Sequence, residues 1–178
     1  MSKGGAGRED FERFARRVSP ALLRSAFLLT RDRGHAEDLL QMTLLRVARR
    51  WEAIEGSPQA FAYRVLVNLS RDHRRNLRRR PIEAPSSAGA LDAAARDVSE
   101  RVLERDVMTA LVRRLPRKQR EVIVLRFLVD LSVAETAAVL GCSEGTVKSH
   151  TSRALASIRA FMTESPAGDR WMEVPRAE

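Results

Sequence analysis

From Arg64 to Arg80 the chain carries seven arginines and a single acid, Asp72. Guanidinium groups at this density suit the neutralisation of a polyanion, because each phosphate they contact releases condensed counterions. Their spacing puts them on one face. On a helical wheel of about 100° per residue that starts at Phe61, Arg64, Arg71, Arg74, Arg75 and Arg78 fall at roughly 220–320°. Phe61, Ala62, Val65, Leu66 and Leu69 fall at roughly 0–140°, a core-facing stripe opposite the arginines. Asn68 borders the basic face. A merely solvated helix face interleaves acids with bases, so nucleic-acid contact is the expected use of this one.

A second basic group lies at Lys148, Ser149, Ser152 and Arg153. On a wheel that starts at Val147, the residues Thr151, Ala154, Leu155, Ile158, Phe161 and Met162 form an inner arc. Gly145, Ser149, Ser152, Arg153 and Ala156 then point outward, flanked by Lys148 and His150. Small, polar and basic residues near a helix N-terminus are what a recognition helix needs to reach base edges and phosphates in a major groove. Other chemistries find no support. Cys142 has no second cysteine to pair with, and it reads as a partly buried turn residue. His35, His73 and His150 are far apart in the sequence and show no ligand spacing, so neither metal nor cofactor is expected. No phosphate loop or nucleophile–base pair points to an enzyme or to a small-molecule substrate. No window holds the ~18 consecutive apolar residues of a membrane span. Met1 to Asp10 lacks the apolar core of a signal peptide. The expectation is a soluble, reduced, cytoplasmic protein.

These groups need elements to hold them. The chain has 178 residues, 44% of them hydrophobic, with 32 Lys or Arg against 23 Asp or Glu, a net charge of +9. A hydrophobic fraction of this size supports a core and excludes a wholly disordered chain. The charge is unevenly spread. Residues 8–80 hold 17 basic and 9 acidic side chains, residues 81–97 hold 1 and 3, residues 98–162 hold 11 and 7, and residues 163–178 hold 2 and 4. Two basic blocks are thus separated by a mildly acidic segment that begins Pro81-Ile82-Glu83-Ala84-Pro85-Ser86-Ser87. Its Pro, Ser, Ala and Gly content reads as a flexible linker. The expected architecture is all-α: two small helical domains, 8–80 and 98–162, joined by a linker at 81–97 and followed by a tail at 163–178.

Helices are expected at about 8–18, 20–30, 34–51 and 58–79 in the first block. Ser19-Pro20 and Ser57-Pro58 each read as a cap followed by Pro at the first helical position. Ala36, Leu40, Leu44, Val47 and Trp51 make one apolar face, which leaves Asp38, Gln41 and Leu45 off the stripe as candidates for a partner surface. In the second block, helices are expected at 98–114 and 116–128. A capping box of Ser132 and Glu135 opens a third, Gly141 stops it, and Ser143 caps a last one at 144–162. A short helix, a Gly-Cys-Ser turn and a second helix make a helix-turn-helix.

Taken in order, these segments resemble the sigma-70 family of bacterial RNA polymerase sigma factors. Ala36-Glu37-Asp38-Leu39-Leu40-Gln41 is similar to the polymerase-binding motif of region 2. Phe61 to Leu69 with the arginine run is similar to the −10 recognition helix. Leu115 to Val122 and Leu131 to Leu155 are similar to region 4, which binds the −35 element. The resemblance covers about residues 8–162, and the absence of further sigma regions points to the extracytoplasmic-function group, with an Arg-rich subfamily of high-GC bacteria as the nearest pattern. It implies that Asp38, Gln41, Met42 and Leu45 contact the clamp helices of the polymerase β′ subunit, and that region 4 grips the β flap. It implies that the loop Glu55, Gly56, Ser57, Pro58 and Gln59 holds a flipped-out base of promoter DNA. Arg64, Asn68, Arg71, Arg74 and Arg75 would line the −10 element, and Lys148, Ser149, Ser152 and Arg153 the −35 element. Met42 stands where many members carry an acid, and Ser152 where some carry a larger residue. The implied activity is promoter recognition, melting and transcription initiation, with room for an anti-sigma factor as a further partner. The alternative is a stand-alone helix-turn-helix transcriptional regulator. It accounts for residues 98–162 but not for the arginine stripe or the Ala-Glu-Asp-Leu-Leu-Gln segment.

Overall fold

The computed structural model describes residues 3–79 and 107–163, with side chains described over 7–75 and 108–163. Every regular element among them is a helix. Helix α1 (Lys3–Thr30) runs unbroken through Pro20. Ser19-Pro20 is therefore not a helix start: Ser19 Oγ donates to the Ala15 carbonyl at 2.6 Å. Burial on both sides of the proline explains the difference. Phe14, Val18, Leu22 and Ala26 step into the core every four residues. Pro20 is exposed, so its missing N–H faces solvent, where it costs least.

Arg31 closes α1 with a left-handed backbone, φ +66. Asp32 then caps α2 (Arg33–Ala48) by accepting from the His35 N–H at 2.8 Å. A short 3-10 turn at Trp51–Ala53 docks the Trp51 ring against Phe11 and Phe14, with centroids 5.5 and 4.9 Å apart. Gly56, at φ +80, makes the bend before the next helix. Ser57 Oγ accepts from the Ala60 N–H at 3.2 Å and opens α3 (Pro58–Arg79), as the Ser-Pro pair predicts.

The second half begins with α4 (Val107–Arg114). The first part of the helix expected at 98–114, the linker at 81–97 and the tail beyond Thr163 lie outside the described residues. Pro116 opens α5 (Arg117–Ile123), which widens into a π-type turn at Val124–Leu128. Asp130, at φ +59, reverses the chain; aspartate tolerates this region better than most residues. Ser132 and Glu135 form the expected capping box on α6 (Val133–Leu140), and Gly141 ends it at φ +67. Ser143 Oγ accepts from the Thr146 N–H at 3.2 Å and caps α7 (Glu144–Thr163).

α1, α2 and α3 pack against one another, and α7 packs on α4, α5 and α6. Contacts also cross between the halves: α1 touches α4, α5 and the π turn, and α3 touches α6. One apolar cluster consequently runs from Phe14 to Ile158, and a smaller one of Val122, Ala137 and Val147 holds the helix-turn-helix together. Two faces differ from their expected positions. α2 buries Ala36, Leu39, Thr43 and Val47, with Leu40 and Leu44 only half-buried. α3 buries Tyr63 and Val67 beside Ala62, Leu66 and Leu69, because it has neighbours on two sides and the wheel supplies only one.

Candidate nucleic-acid interface

α3 presents its basic stripe in two parts. Arg64, Asn68 and Arg75 are exposed. Arg71 and Arg74 are half-buried and already engaged. Arg71 Nη2 donates to Glu121 Oε2 at 2.8 Å, its Nε to Glu121 Oε1 at 3.4 Å, and its Nη1 to the Leu140 carbonyl at 3.3 Å. Arg74 Nη2 donates to the Leu29 carbonyl at 3.3 Å. The Glu55–Gln59 stretch, whose last two residues already belong to α3, is similarly divided. Glu55, Gly56 and Ser57 are exposed, whereas Pro58 and Gln59 are half-buried, and Gln59 Nε2 reaches the Val129 carbonyl at 3.5 Å.

α7 presents its whole outer face. Lys148, Ser149, Ser152 and Arg153 are all exposed, as are Gly145 and Ala156, while Val147, Ala154 and Ile158 are buried behind them. A shallow groove of about 380 Å³ beside this face is lined by Arg126, Val133, Lys148, Thr151, Ser152, Leu155 and Arg159. Arg126 and Arg159 join the basic surface without having been singled out in the sequence. Arg159 follows Ser152 by two helical turns, a spacing that could have found it. Arg126 comes from another element, which no single wheel includes.

On α2, Asp38, Gln41, Met42 and Leu45 share one exposed face, opposite the buried Ala36, Leu39, Thr43 and Val47. Met42 is 46% and Leu45 52% exposed. Two exposed large apolar residues beside an acid and an amide form the kind of patch that marks a protein contact.

A polar cluster where the two halves meet has no signature in the sequence. Glu121, 2% exposed, accepts from Arg71 and also from Arg117 Nε at 2.6 Å. Burial alone would raise its pKa, but the two arginines outweigh that and hold it below the usual carboxylate range. Next to it Arg120, also 2% exposed, donates through Nη1 to the Leu28 carbonyl at 3.3 Å. Burial lowers the Arg120 pKa to about 10, helped by the positive charges of Arg31, Arg74 and Arg113 and opposed by Glu121. Arg31 and Arg113 each donate to the other's backbone carbonyl, and Arg113 lies over the Phe27 ring at 4.9 Å. His35 and His73, far apart in sequence, meet across α2 and α3 with ring centroids 4.1 Å apart. His35 Nδ1 is 3.2 Å from Asp32, and the His73 pKa is lowered by burial and by His35. No group of three or more His, Cys, Asp or Glu able to hold a metal ion occurs among the described residues. Cys142 is half-buried in its turn. No helix among the described residues is long and apolar enough to cross a membrane.

Similarity to known proteins follows the same division. Residues 14–80 match the family Sigma-70 region 2, and residues 105–158 match Sigma-70, region 4. The RNA polymerase sigma-E factor of Streptomyces avermitilis is 40% identical over 166 residues, which cover 92% of this chain and 91% of that protein. The chain belongs to the extracytoplasmic-function sigma factors of the sigma-70 family. The ECF RNA polymerase sigma factor EcfG of Rhodopseudomonas palustris is 30% identical over 152 residues, covering 84% of this chain and 83% of that one. Among solved structures, the sigma factor RpoE of Bartonella quintana, solved in complex with the anti-sigma factor NepR, is similar with a TM-score of 0.69 and 27% identity. That match covers 87% of this chain and 98% of that one. The α3 stripe and the α2 face of this sigma factor therefore lie in region 2, and the helix-turn-helix lies in region 4.

Proposed function

We propose that this sigma factor divides initiation among three faces. The α2 face of Asp38, Gln41, Met42 and Leu45 docks on the β′ clamp helices of core polymerase. α3 and the Glu55–Gln59 loop take the −10 element: Arg64 and Asn68 lie near the bases, Arg71, Arg74 and Arg75 near the phosphates, and the loop receives a flipped-out base. Lys148, Ser149, Ser152 and Arg153 read the −35 element. Phe127, 58% exposed on the π turn, is the proposed apolar anchor for the β flap. The boundaries proposed for the two modules are 8–80 and 98–162. An anti-sigma factor is a further proposed partner, by likeness to the Bartonella protein.

The physics needs no bond chemistry. Polymerase binding fixes the spacing of two weak DNA-binding modules, and their joint affinity then exceeds either one's through effective concentration. Melting is driven by trapping unstacked bases, which offsets a cost of a few kcal/mol per base. One observation carries this reading: an exposed α2 patch with apolar residues and two basic helix faces lie on separate helices of one chain. A stand-alone regulator has no use for the α2 patch.

The test adds purified protein to core polymerase on a library of genomic promoters. Start-site-specific transcripts are expected, and their absence would contradict the proposal. Asp38→Arg should keep the helical content and lose core polymerase in a pull-down; wild-type affinity would refute the assignment of the α2 face.

A further inference from the structure

Glu121 is the residue that the functional reading leaves without a role. Its carboxylate belongs to region 4, is almost completely buried, and accepts from Arg71 of region 2 at 2.8 and 3.4 Å. Arg117 neutralises the same carboxylate from its own helix at 2.6 Å. A carboxylate gripped by two guanidinium groups presents them with the same sign of charge and the same bidentate geometry as a phosphate. Arg71 is one of the residues proposed for the −10 phosphates. We propose that Glu121 is an internal competitor for promoter DNA: in the free chain it takes the place of a backbone phosphate on Arg71 and latches region 4 over the −10 face. The inference deepens, and rests on, the assignment of α3 to the −10 element.

The latch and promoter binding exclude each other by distance. The −10 and −35 elements lie about 25 base pairs apart along the helix, or roughly 85 Å at ~3.4 Å per pair. Two regions joined by a 2.8 Å ion pair cannot sit on both. The latch has secondary ties that open with it. Gln59 of the base-pocket loop donates to the Val129 carbonyl, Arg120 donates to the Leu28 carbonyl, and Arg31 and Arg113 exchange bonds between their backbones and side chains. The same interface brings Arg120 together with Arg31, Arg74 and Arg113. Like charges gathered in one place oppose closure, so the clasp is under electrostatic load that separation relieves. Opening the latch frees Arg71 and also parts the apolar contacts that α1 makes with α4, α5 and the π turn.

The salt dependence of DNA binding by the free chain reads this directly. The probe is a short duplex of random sequence, titrated at several salt concentrations with wild type, Glu121→Gln and Glu121→Gln/Arg71→Gln. Glu121→Gln keeps the shape of the side chain and removes its charge. Its slope of log affinity against log salt should steepen by about 0.9, the share of the one further phosphate that a released Arg71 neutralises. Adding Arg71→Gln should reverse about 0.9 of that steepening, the share of one phosphate. In parallel, two dyes at Arg24→Cys and Ala160→Cys, in a Cys142→Ser background, should move apart in both Glu121→Gln and Arg71→Gln without loss of helical content. Equal slopes for wild type and Glu121→Gln, or unchanged dye separation in both variants, would overturn the latch. Wild-type transcription with core polymerase separates the two failures. A chain that initiates normally but shows no change of slope lacks the latch; a chain that never initiates lacks the sigma function itself.

Discussion

Two helices of this chain carry the basic faces proposed for DNA, and the structure treats them differently. α7 keeps Lys148, Ser149, Ser152 and Arg153, the residues proposed to read DNA, in solvent. α3 has the stronger stripe in sequence, yet two of its five assigned residues, Arg71 and Arg74, already hold acceptors inside the protein. A periodic stripe of arginines therefore defines what a helix can bind, and its neighbours decide how much of that is available. The difference follows from packing. α7 rests on region 4 helices with its back only, whereas α3 lies between α1 and α2 on one side and α6 on the other.

That contrast can be tested at four points, beginning with the largest effect. Leu66, fully buried at the centre of α3, should cost about 2–5 kcal/mol when replaced by Ala, measured by urea unfolding. A loss below about 1 kcal/mol would mean that α3 is not clasped as described. Ser132→Ala removes the capping box of α6, the helix that lies against both α3 and α7. The expected loss is about 1 kcal/mol, and an unchanged midpoint would show that the cap is unimportant to the helix-turn-helix.

The third point is pH. The pKa of Glu121 is lowered on folding, so its ion pairs contribute stability above the unfolded value, near about 4.3, and lose it as pH falls through the lower folded value. Wild type should therefore lose stability faster than Glu121→Gln on acidification below about pH 4; parallel curves would argue against the arginine contacts. The smallest effect separates the helices most sharply. In the free chain Arg153→Ala should reduce the salt slope for DNA by about 0.9, one phosphate contact, whereas Arg71→Ala should change it little. Equal reductions would show that both faces are equally open and would remove the contrast.

The legible parts of this fold were the local ones. Ser57-Pro58, the Ser132–Glu135 capping box, Gly141 and the inner and outer arcs of α7 need only a few neighbouring residues to be read, and each is found as expected. Ser19-Pro20 has the same local signature as Ser57-Pro58 but lies inside α1, since core contacts at Phe14, Val18, Leu22 and Ala26 carry the helix across it. Tyr63 and Val67 fell outside the expected core face because a single wheel assumes one neighbour, whereas α3 packs on α1 and α2 as well as on α6, and Tyr63 turns to Ser25 of α1. The pairing of Arg71 with Glu121, 50 residues away, and the meeting of His35 with His73 depend wholly on tertiary structure. No periodicity within one helix encodes them. The α2 face was readable for a different reason: a helix that buries one stripe must show the other, and Asp38, Gln41 and Leu45 lie on the shown side as their spacing predicts, with Met42 added only by the family resemblance.

The central claim is that one chain carries two DNA modules which work apart, on a polymerase. A hydroxyl-radical footprint of the polymerase complex on a promoter found by the transcription assay tests it most directly, with wild type beside Arg64→Ala/Asn68→Ala and Lys148→Ala/Arg153→Ala. The prediction is two separate protected patches about 25 base pairs, or roughly 85 Å, apart. The α3 variant should weaken only the downstream patch and the α7 variant only the upstream one. A single contiguous patch, protected by the chain alone without polymerase, would contradict it.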